Sequence, residues 1–236
     1  MNTHAMHRKL YEHVEEAIGL RIIKGDYRPG ETLPNEEALC AAFGVSRGVI
    51  REAVKVLHKK GLVRPRPKIG TQIQPRTRWN LFDADVLVWK LAAGEQLQFL
   101  SKVTEVRTMI ESEAARLSAG RATTAEIDTI RKRCRQLEAL LGSETGFRYE
   151  TYLEYDMAFH TAVLEASHNE LLAQIGRTMR QAVQIARQAD IRDIHALRES
   201  QPFHRAVMEA ISQQDPQRAY AASRDLFAQV WRHLPR

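Results

Sequence analysis

Cysteine is the scarcest reactive residue of this 236-residue chain, which holds only Cys40 and Cys134. The two sit in helical patterns far apart in sequence, so they read as reduced core residues, not as a disulfide or a metal pair. Long apolar runs are missing as well. No segment approaches the ~20 apolar residues of a membrane span, and the N-terminus lacks the apolar core of a secretory signal, which predicts a cytoplasmic protein with no membrane partner. Absent too are HExxH, a GxSxG elbow, a P-loop and a dinucleotide fingerprint, and with them the enzyme classes those motifs serve. Acids are missing from one stretch in particular: from Arg47 to Arg78 there are ten Lys or Arg and a single acid, Glu52.

That gap locates a polyanion partner. Residues 1–79 hold 15 Lys+Arg and 8 Asp+Glu, a balance of +7; the remaining 20 and 21 give −1, which restores the +6 of the whole chain. A basic module joined to a near-neutral remainder points to a polyanion for one domain only. A membrane surface would call for bulky apolar residues facing lipid, whereas the apolar residues here are small and β-branched. Residues 33–73, LPNEEALCAAFGVSRGVIREAVKVLHKKGLVRPRPKIGTQI, read as a helix over 35–42, a turn through Gly44, a second helix from the N-cap Ser46 to Lys60, and a basic ribbon over 62–65 and 69–74. That order predicts a winged helix-turn-helix, with the second helix placed in the major groove of double-stranded DNA. Val49, Ile50, Ala53, Val54 and Leu57 follow one buried helical face. Arg47, Arg51 and Lys55 fall at i, i+4, i+8 on the other, with His58 and Lys59 beyond them. Gly70 lets the ribbon backbone approach a groove closely.

The rest of the chain has helical period. A helix over Arg8–Lys24 precedes the module, and PRTRWN (75–80) with LFDADVLVWKLAAG (81–94) reads as a linker and short docking helix. Helices are predicted over 98–120, 123–141, 147–167, 169–188, 192–213 and 216–233, broken at Gly120, Gly142-Ser143, His168-Asn169 and Asp215-Pro216. The expected fold is mainly α: a winged helix-turn-helix over 1–78, a linker over 79–94, and an all-α helical bundle over 95–236.

These residues resemble a known family. Gly30-Glu31-Thr32-Leu33-Pro34, Phe43-Gly44-Val45-Ser46-Arg47, Ile50-Arg51-Glu52-Ala53, Leu57 and Gly61-Leu62-Val63 are similar to the GntR superfamily of bacterial transcription regulators. Glu105-Val106-Arg107, Ile110-Glu111, Ala114-Ala115, Asp156-Met157-Ala158-Phe159-His160, Ala166-Ser167-His168-Asn169, Phe203-His204 and Asp215-Pro216 resemble its FadR branch with an FCD ligand domain. The linker from Trp79 to Trp89 is similar to that of galactonate- and sugar-acid-responsive regulators. The resemblance implies DNA contacts from Ser46, Arg47 and Arg51, and from a wing of Lys68, Ile69 and Gly70; Arg forks suit guanine edges, hydroxyls and backbone N–H groups suit phosphates. Two positions depart from the family: Glu37 stands where many relatives carry a groove-reading residue, and Gly48 where Thr or Pro is usual.

Arg107 lies on the stripe Val103–Ile110–Ala114, and a buried cation needs a partner. An internal ion pair with Glu111 at i+4 is one solution; an effector carboxylate is the other, and the resemblance implies an effector site of Arg107, Glu111 and Asn169. Asp156 and His160, at i, i+4 on an apolar helix, have the spacing to chelate a divalent metal. The resemblance adds His204 as a third ligand and a fourth histidine at a position that here is Leu226, with Asp225 pointing about 100° away. Zinc or another divalent ion held by three residues, and a metal-free hydrogen-bonded pocket, both remain open. His168, His195 and His233 read as surface or capping residues. The expected function is a homodimeric repressor of a sugar-acid operon, on an aldonate- or galactonate-like acid, that leaves its operator when the small carboxylate binds and reorients the DNA-binding domains through 75–94. A metal-dependent enzyme acting on a small hydroxy acid, with an accessory basic domain, is the alternative; a nonspecific architectural DNA-binding protein would leave the buried polar groups unexplained.

Overall fold

A computed structural model describes residues 3–94, 96–143, 147–187 and 194–232. The chain forms two compact units, 1–96 and 97–236. The first is built from α1 (Thr3–Lys24), α2 (Glu36–Phe43), α3 (Arg47–Lys59), the strands β1 (Val63–Arg66) and β2 (Gly70–Ile73), and α4 (Ala84–Ala92). Its core gathers Ile18 and Ile22 of α1, Leu39 of α2, Ile50, Ala53 and Leu57 of α3, and Ile73 of the ribbon. This is the winged helix-turn-helix that the pattern predicts.

Local chemistry sets the turn and the wing. Asn35 caps α2 by accepting the Ala38 N–H at 2.8 Å, and Gly44 ends it in the left-handed region at φ 64°, where a glycine avoids the Cβ clash. Ser46 occupies the N-cap of α3, yet its side chain makes no capping bond; its carbonyl takes the Val49 and Ile50 N–H groups instead. Gly61, at φ 78°, lies against the Arg78 carbonyl so closely that a side chain there would collide with it. The ribbon pairs Val63 with Ile73 and Arg66 with Gly70. Residues 30–33 add a third strip that the sequence pattern does not announce: Thr32 bridges Gln72, and the Leu33 N–H donates to Thr71.

Residues 79–94 lie within the first unit and carry the short helix α4. Asp83 caps α4 by accepting from Asp85 and Val86, and the six-membered ring of Trp89 packs against Gly19 of α1, where no Cβ would fit. Lys60 ties the helix down: its buried Nζ lies 2.6 Å from Asp85, 2.8 Å from Asp83 and 3.4 Å from Glu15 of α1. Burial disfavours the lysine charge, but the hydrogen bonds and charges of Asp83 and Asp85 outweigh it and raise its pKa.

The second unit is all helical among the described residues: α5 (Gln96–Arg121), α6 (Thr124–Gly142), α7 (Tyr149–Ala166), α8 (Glu170–Arg187), α9 (Ile194–Ser212) and α10 (Pro216–Arg232). The expected ends at 188, 192 and 233 lie outside the described residues; the others fall within two residues of those observed. A capping box between Thr123 and Glu126 starts α6. Phe159, Phe227, Ile130 and Leu137 are fully buried, and α6 packs on α7 and α9, α9 on α10, and α7 on α8.

Candidate functional site

In the first unit, α3 buries Val49, Ile50, Ala53 and Leu57 and leaves Arg47, Arg51 and Lys55 in solvent. Arg51 is aimed by α2: its Nε sits 3.0 Å from both oxygens of Glu36, whose carboxyl is held below its usual range chiefly by that hydrogen bond. Lys55 leans on Glu52 at 3.4 Å. His58 is committed elsewhere, with Nδ1 2.9 Å from the Val63 carbonyl at the root of the wing. At the wing tip Lys68 takes a left-handed φ of 64°, Ile69 is 64% exposed, and the φ of 111° at Gly70 suits a residue without a side chain, next to the Thr32 methyl. A cationic helix face and a basic wing thus border open solvent on one domain.

The second unit contains a buried polar cluster drawn from four helices. Arg107 and Glu111 come from α5, Asp156 and His160 from α7, Arg180 from α8 and His204 from α9, each less than a tenth exposed. Glu111 is the hub. It accepts from Arg107 Nε at 2.7 Å and lies 2.6 Å from His160 Nδ1 and 3.4 Å from Arg180 Nη1. Asp156 accepts from Arg180 Nη2 at 2.7 Å through Oδ2, while its Oδ1 lies 3.3 Å from His204 Nε2 and 3.6 Å from His160 Nε2. Burial works against both carboxylates, but the surrounding arginines and His160 outweigh it and hold both well below the ordinary range. The Arg107 guanidinium also stacks on Phe227 of α10, 4.9 Å from the ring centre.

The histidine tautomers follow from their partners. The Ser200 carbonyl accepts only, so His204 donates from Nδ1 at 3.0 Å; the ionised Glu111 likewise accepts a hydrogen bond from His160 Nδ1. Both rings turn Nε2 toward Asp156 Oδ1. Burial lowers the His204 pKa and favours the neutral form, and its Nε2 has no hydrogen-bond partner among the described residues. One atom each from Asp156, His160 and His204 lies within 4.8 Å of the other two. A carboxylate oxygen and two imidazole nitrogens at that spacing are a donor set that fits a divalent cation. Glu111, bonded to His160 Nδ1, would orient that ring toward such a cation.

Of the residues singled out in the sequence, Arg107, Glu111, Asp156, His160 and His204 meet in one cluster. The pair Arg107–Glu111 is the internal ion pair that the i, i+4 spacing allows. Asn169 does not join them. Its side chain caps α8 by accepting the Leu171 and Leu172 N–H groups, eleven residues or about 16 Å along the helix from Arg180. It lines a separate surface cleft with Arg121, His168 and Arg177. Leu226 is buried in the core and offers no ligand atom, and Asp225 faces solvent. His168 bridges to Glu126 at 3.0 Å on the surface, His195 is exposed, and His233 lies outside the described residues. Arg180 went unnoticed in the sequence. Its signal was there: Ala173, Gly176 and Arg180 repeat at helical spacing on the buried face of α8.

Residues 10–73 match the family described as bacterial regulatory proteins, gntR family, and residues 102–229 match the FCD domain. The chain is 33% identical over 211 residues to the uncharacterized HTH-type transcriptional regulator YieP of Escherichia coli K12, covering 89% of each. It is 31% identical over 220 residues to the galactonate operon transcriptional repressor of the same strain, covering 92% of this chain and 93% of that one. The Glc operon transcriptional activator of that strain is 26% identical over 231 residues, covering 96% of this chain and 89% of its own. Among solved structures, Streptococcus agalactiae GntR superposes with a TM-score of 0.53 at 23% identity, over 94% of this chain and 99% of that one, a likeness of fold.

Proposed function

We propose, on the premise that this chain belongs to the gntR family of bacterial regulatory proteins and is a transcription regulator, not an enzyme, that it represses a sugar-acid catabolic operon in the cytoplasm. In this reading a homodimer binds a palindromic operator, because one helix-turn-helix reads only a few base pairs and two-fold symmetry supplies the rest. Ser46, Arg47, Arg51, Lys55, Lys68 and Gly70 meet the DNA. An aldonate, galactonate-like, enters the bundle, where its carboxylate meets the cations Arg107 and Arg180 and its hydroxyls meet the remaining polar groups, with Glu111 organising the site. The observation that carries the reading is the buried Arg–Glu–Asp–His cluster inside an otherwise apolar bundle. Repression and the sugar acid are supported by the likeness to the galactonate operon repressor. A tenfold loss of operator affinity on effector binding needs only about 1.4 kcal/mol of coupling.

Zinc or a similar divalent ion bound by Asp156, His160 and His204 belongs to the same reading. When bound, it supplies a Lewis-acidic centre for an effector oxygen. With Leu226 in place of a fourth ligand, water or the effector would complete its coordination. Leu226→His should therefore tighten metal binding, measured by competition with a chromophoric chelator; unchanged affinity would remove the three-residue site from the reading.

The direct test is a DNA shift on the promoter fragments retained by the purified protein, with D-galactonate, keto-deoxy acids, dicarboxylates and acyl thioesters in turn. Release by a sugar acid is expected. Release by acyl thioesters alone would overturn the effector assignment, and salt-insensitive binding would overturn the DNA interface.

A further inference from the structure

We infer that Glu36 is a positioning residue for sequence recognition: it fixes Arg51 as the reader of one guanine in each half-site and lowers affinity for DNA of any other sequence. The inference rests on the reading that α3 enters the major groove. It gives a role to an acid that a surface built only to hold a polyanion would not carry.

Glu36 opens α2 and Arg51 lies in the second turn of α3, fifteen residues further on. Both ends of the pair are held by their helices. Asn35 fixes the start of α2 through the Ala38 N–H, and Leu39 and Ile50 pack in one core beneath the two helices. The carboxylate accepts the Arg51 Nε–H with both oxygens at 3.0 Å, and Arg51 makes no other hydrogen bond among the described residues. Nη1 and Nη2 are left unoccupied. They form the outer edge of the fork, and their parallel N–H bonds match guanine O6 and N7. Arg47, one turn earlier, is exposed and has no such tether among the described residues. Stability does not account for the pair. The Glu36 and Arg51 side chains are 46% and 68% exposed, and ion pairs so open to water add little to a fold.

The same carboxylate lines the cleft of about 540 Å³ between α3 and the wing, together with Arg51, Lys55, Ile69 and Gly70. An acid there repels the phosphates of whatever duplex lies on this face. That repulsion is the same for every sequence, whereas an aimed fork gains its two hydrogen bonds only against guanine. Selectivity is the difference between the two effects. Without Glu36, Arg51 is free to leave the base edge for a phosphate, which every sequence offers. One carboxylate therefore acts twice, once by holding the reader and once by weakening the wrong complexes.

The test starts from duplexes selected out of a random pool by the wild-type full chain. Fluorescence anisotropy then gives affinities for the selected duplex, for versions changed at each base pair, and for a scrambled duplex. R51A should lose discrimination at one guanine–cytosine pair per half-site. E36A, with Arg51 still present, should lose about tenfold at the same pair, and the double variant should lose no more than R51A. Both E36A and E36Q should bind the scrambled duplex more tightly than the wild type. E36Q, whose amide oxygen still accepts from Nε, should keep part of the guanine preference, and it carries the test if E36A fails to fold. Melting temperatures should not move. Full discrimination at that pair in E36A, a loss that adds to that of R51A, or an even weakening across all duplexes would each overturn the inference and leave α3 as the reading helix. Wild-type discrimination in E36Q with unchanged binding of the scrambled duplex would do the same. Base preferences untouched by R51A would sink the inference together with Arg51 as a reader. A selection that enriches no common sequence would sink the specific DNA interface itself.

Discussion

On α3 and the wing, Arg47, Lys55 and Lys68 carry their charges in solvent, whereas in the bundle Arg107, Glu111, Asp156 and Arg180 carry theirs below the surface, each bonded to another. Exposed cations remain hydrated and act at a distance; they suit a partner that is itself a long array of charges, and salt weakens them. Buried ions tolerate no such looseness. Each needs a counter-charge in contact, so a ligand that alters one partner disturbs all of them. A surface of independent charges is good for holding DNA, and a closed network of dependent ones is good for sensing a small ion.

The largest effect that would break this contrast is expected at Glu111. Glu111→Ala strips a shared counter-ion from Arg107 and Arg180 and should destabilise the bundle by about 3–5 kcal/mol in urea denaturation. A loss below about 1 kcal/mol would mean that the cluster behaves like surface charge after all.

Acid should erode the same network. The His204 pKa is depressed below its ordinary 6.5 by burial, and those of Glu111 and Asp156 below 4.5 and 3.8 because the arginines and His160 outweigh burial. The unfolded chain therefore takes up these protons first as the pH falls. Stability contributed by the cluster is present at neutral pH, begins to decline below 6.5 with His204, and declines more steeply below 4.5 until the carboxylates protonate in the folded state. Melting temperatures of metal-free protein across this range should fall monotonically; a rise on acidification would contradict the assigned charge states.

Smaller, and confined to binding, are the effects expected on the other side of the comparison. Arg47→Ala and Arg51→Ala should each cost about 1–3 kcal/mol of operator affinity without lowering the melting temperature, since both side chains are exposed. Intact affinity in both variants would displace α3 as the reading helix. Smallest is Lys68→Ala, which should weaken all DNA sequences evenly and reduce the slope of log affinity against log salt by about one phosphate contact. A loss restricted to the specific site would instead make the wing a base reader.

The contrast also explains which features were legible beforehand. The face of α3 was readable because it is local: three cations at i, i+4, i+8 with β-branched residues between them leave one way to bury the helix. Helix ends in the bundle were readable for the same reason, through Thr123, Gly142 and Pro216. The cap that Asn169 forms at the start of α8 is local too, but its distance from the buried cluster was not legible in the sequence. Within residues 79–94 the partner of Asp83 and Asp85, a buried lysine more than twenty residues away, was not readable in the same local way.

By itself the sequence determined the architecture, the basic face and the presence of polar residues on buried stripes, because these depend on periodicity, caps and charge within a few turns of chain. Only the tertiary structure decided that Arg180 meets Glu111 across 69 residues and Asp156 across 24. It alone turned the His160 and His204 Nε2 atoms onto one carboxylate oxygen. No local period encodes such meetings. They follow from four helices packing side by side, and buried charge obliges each polar group to find its partner wherever the packing places one.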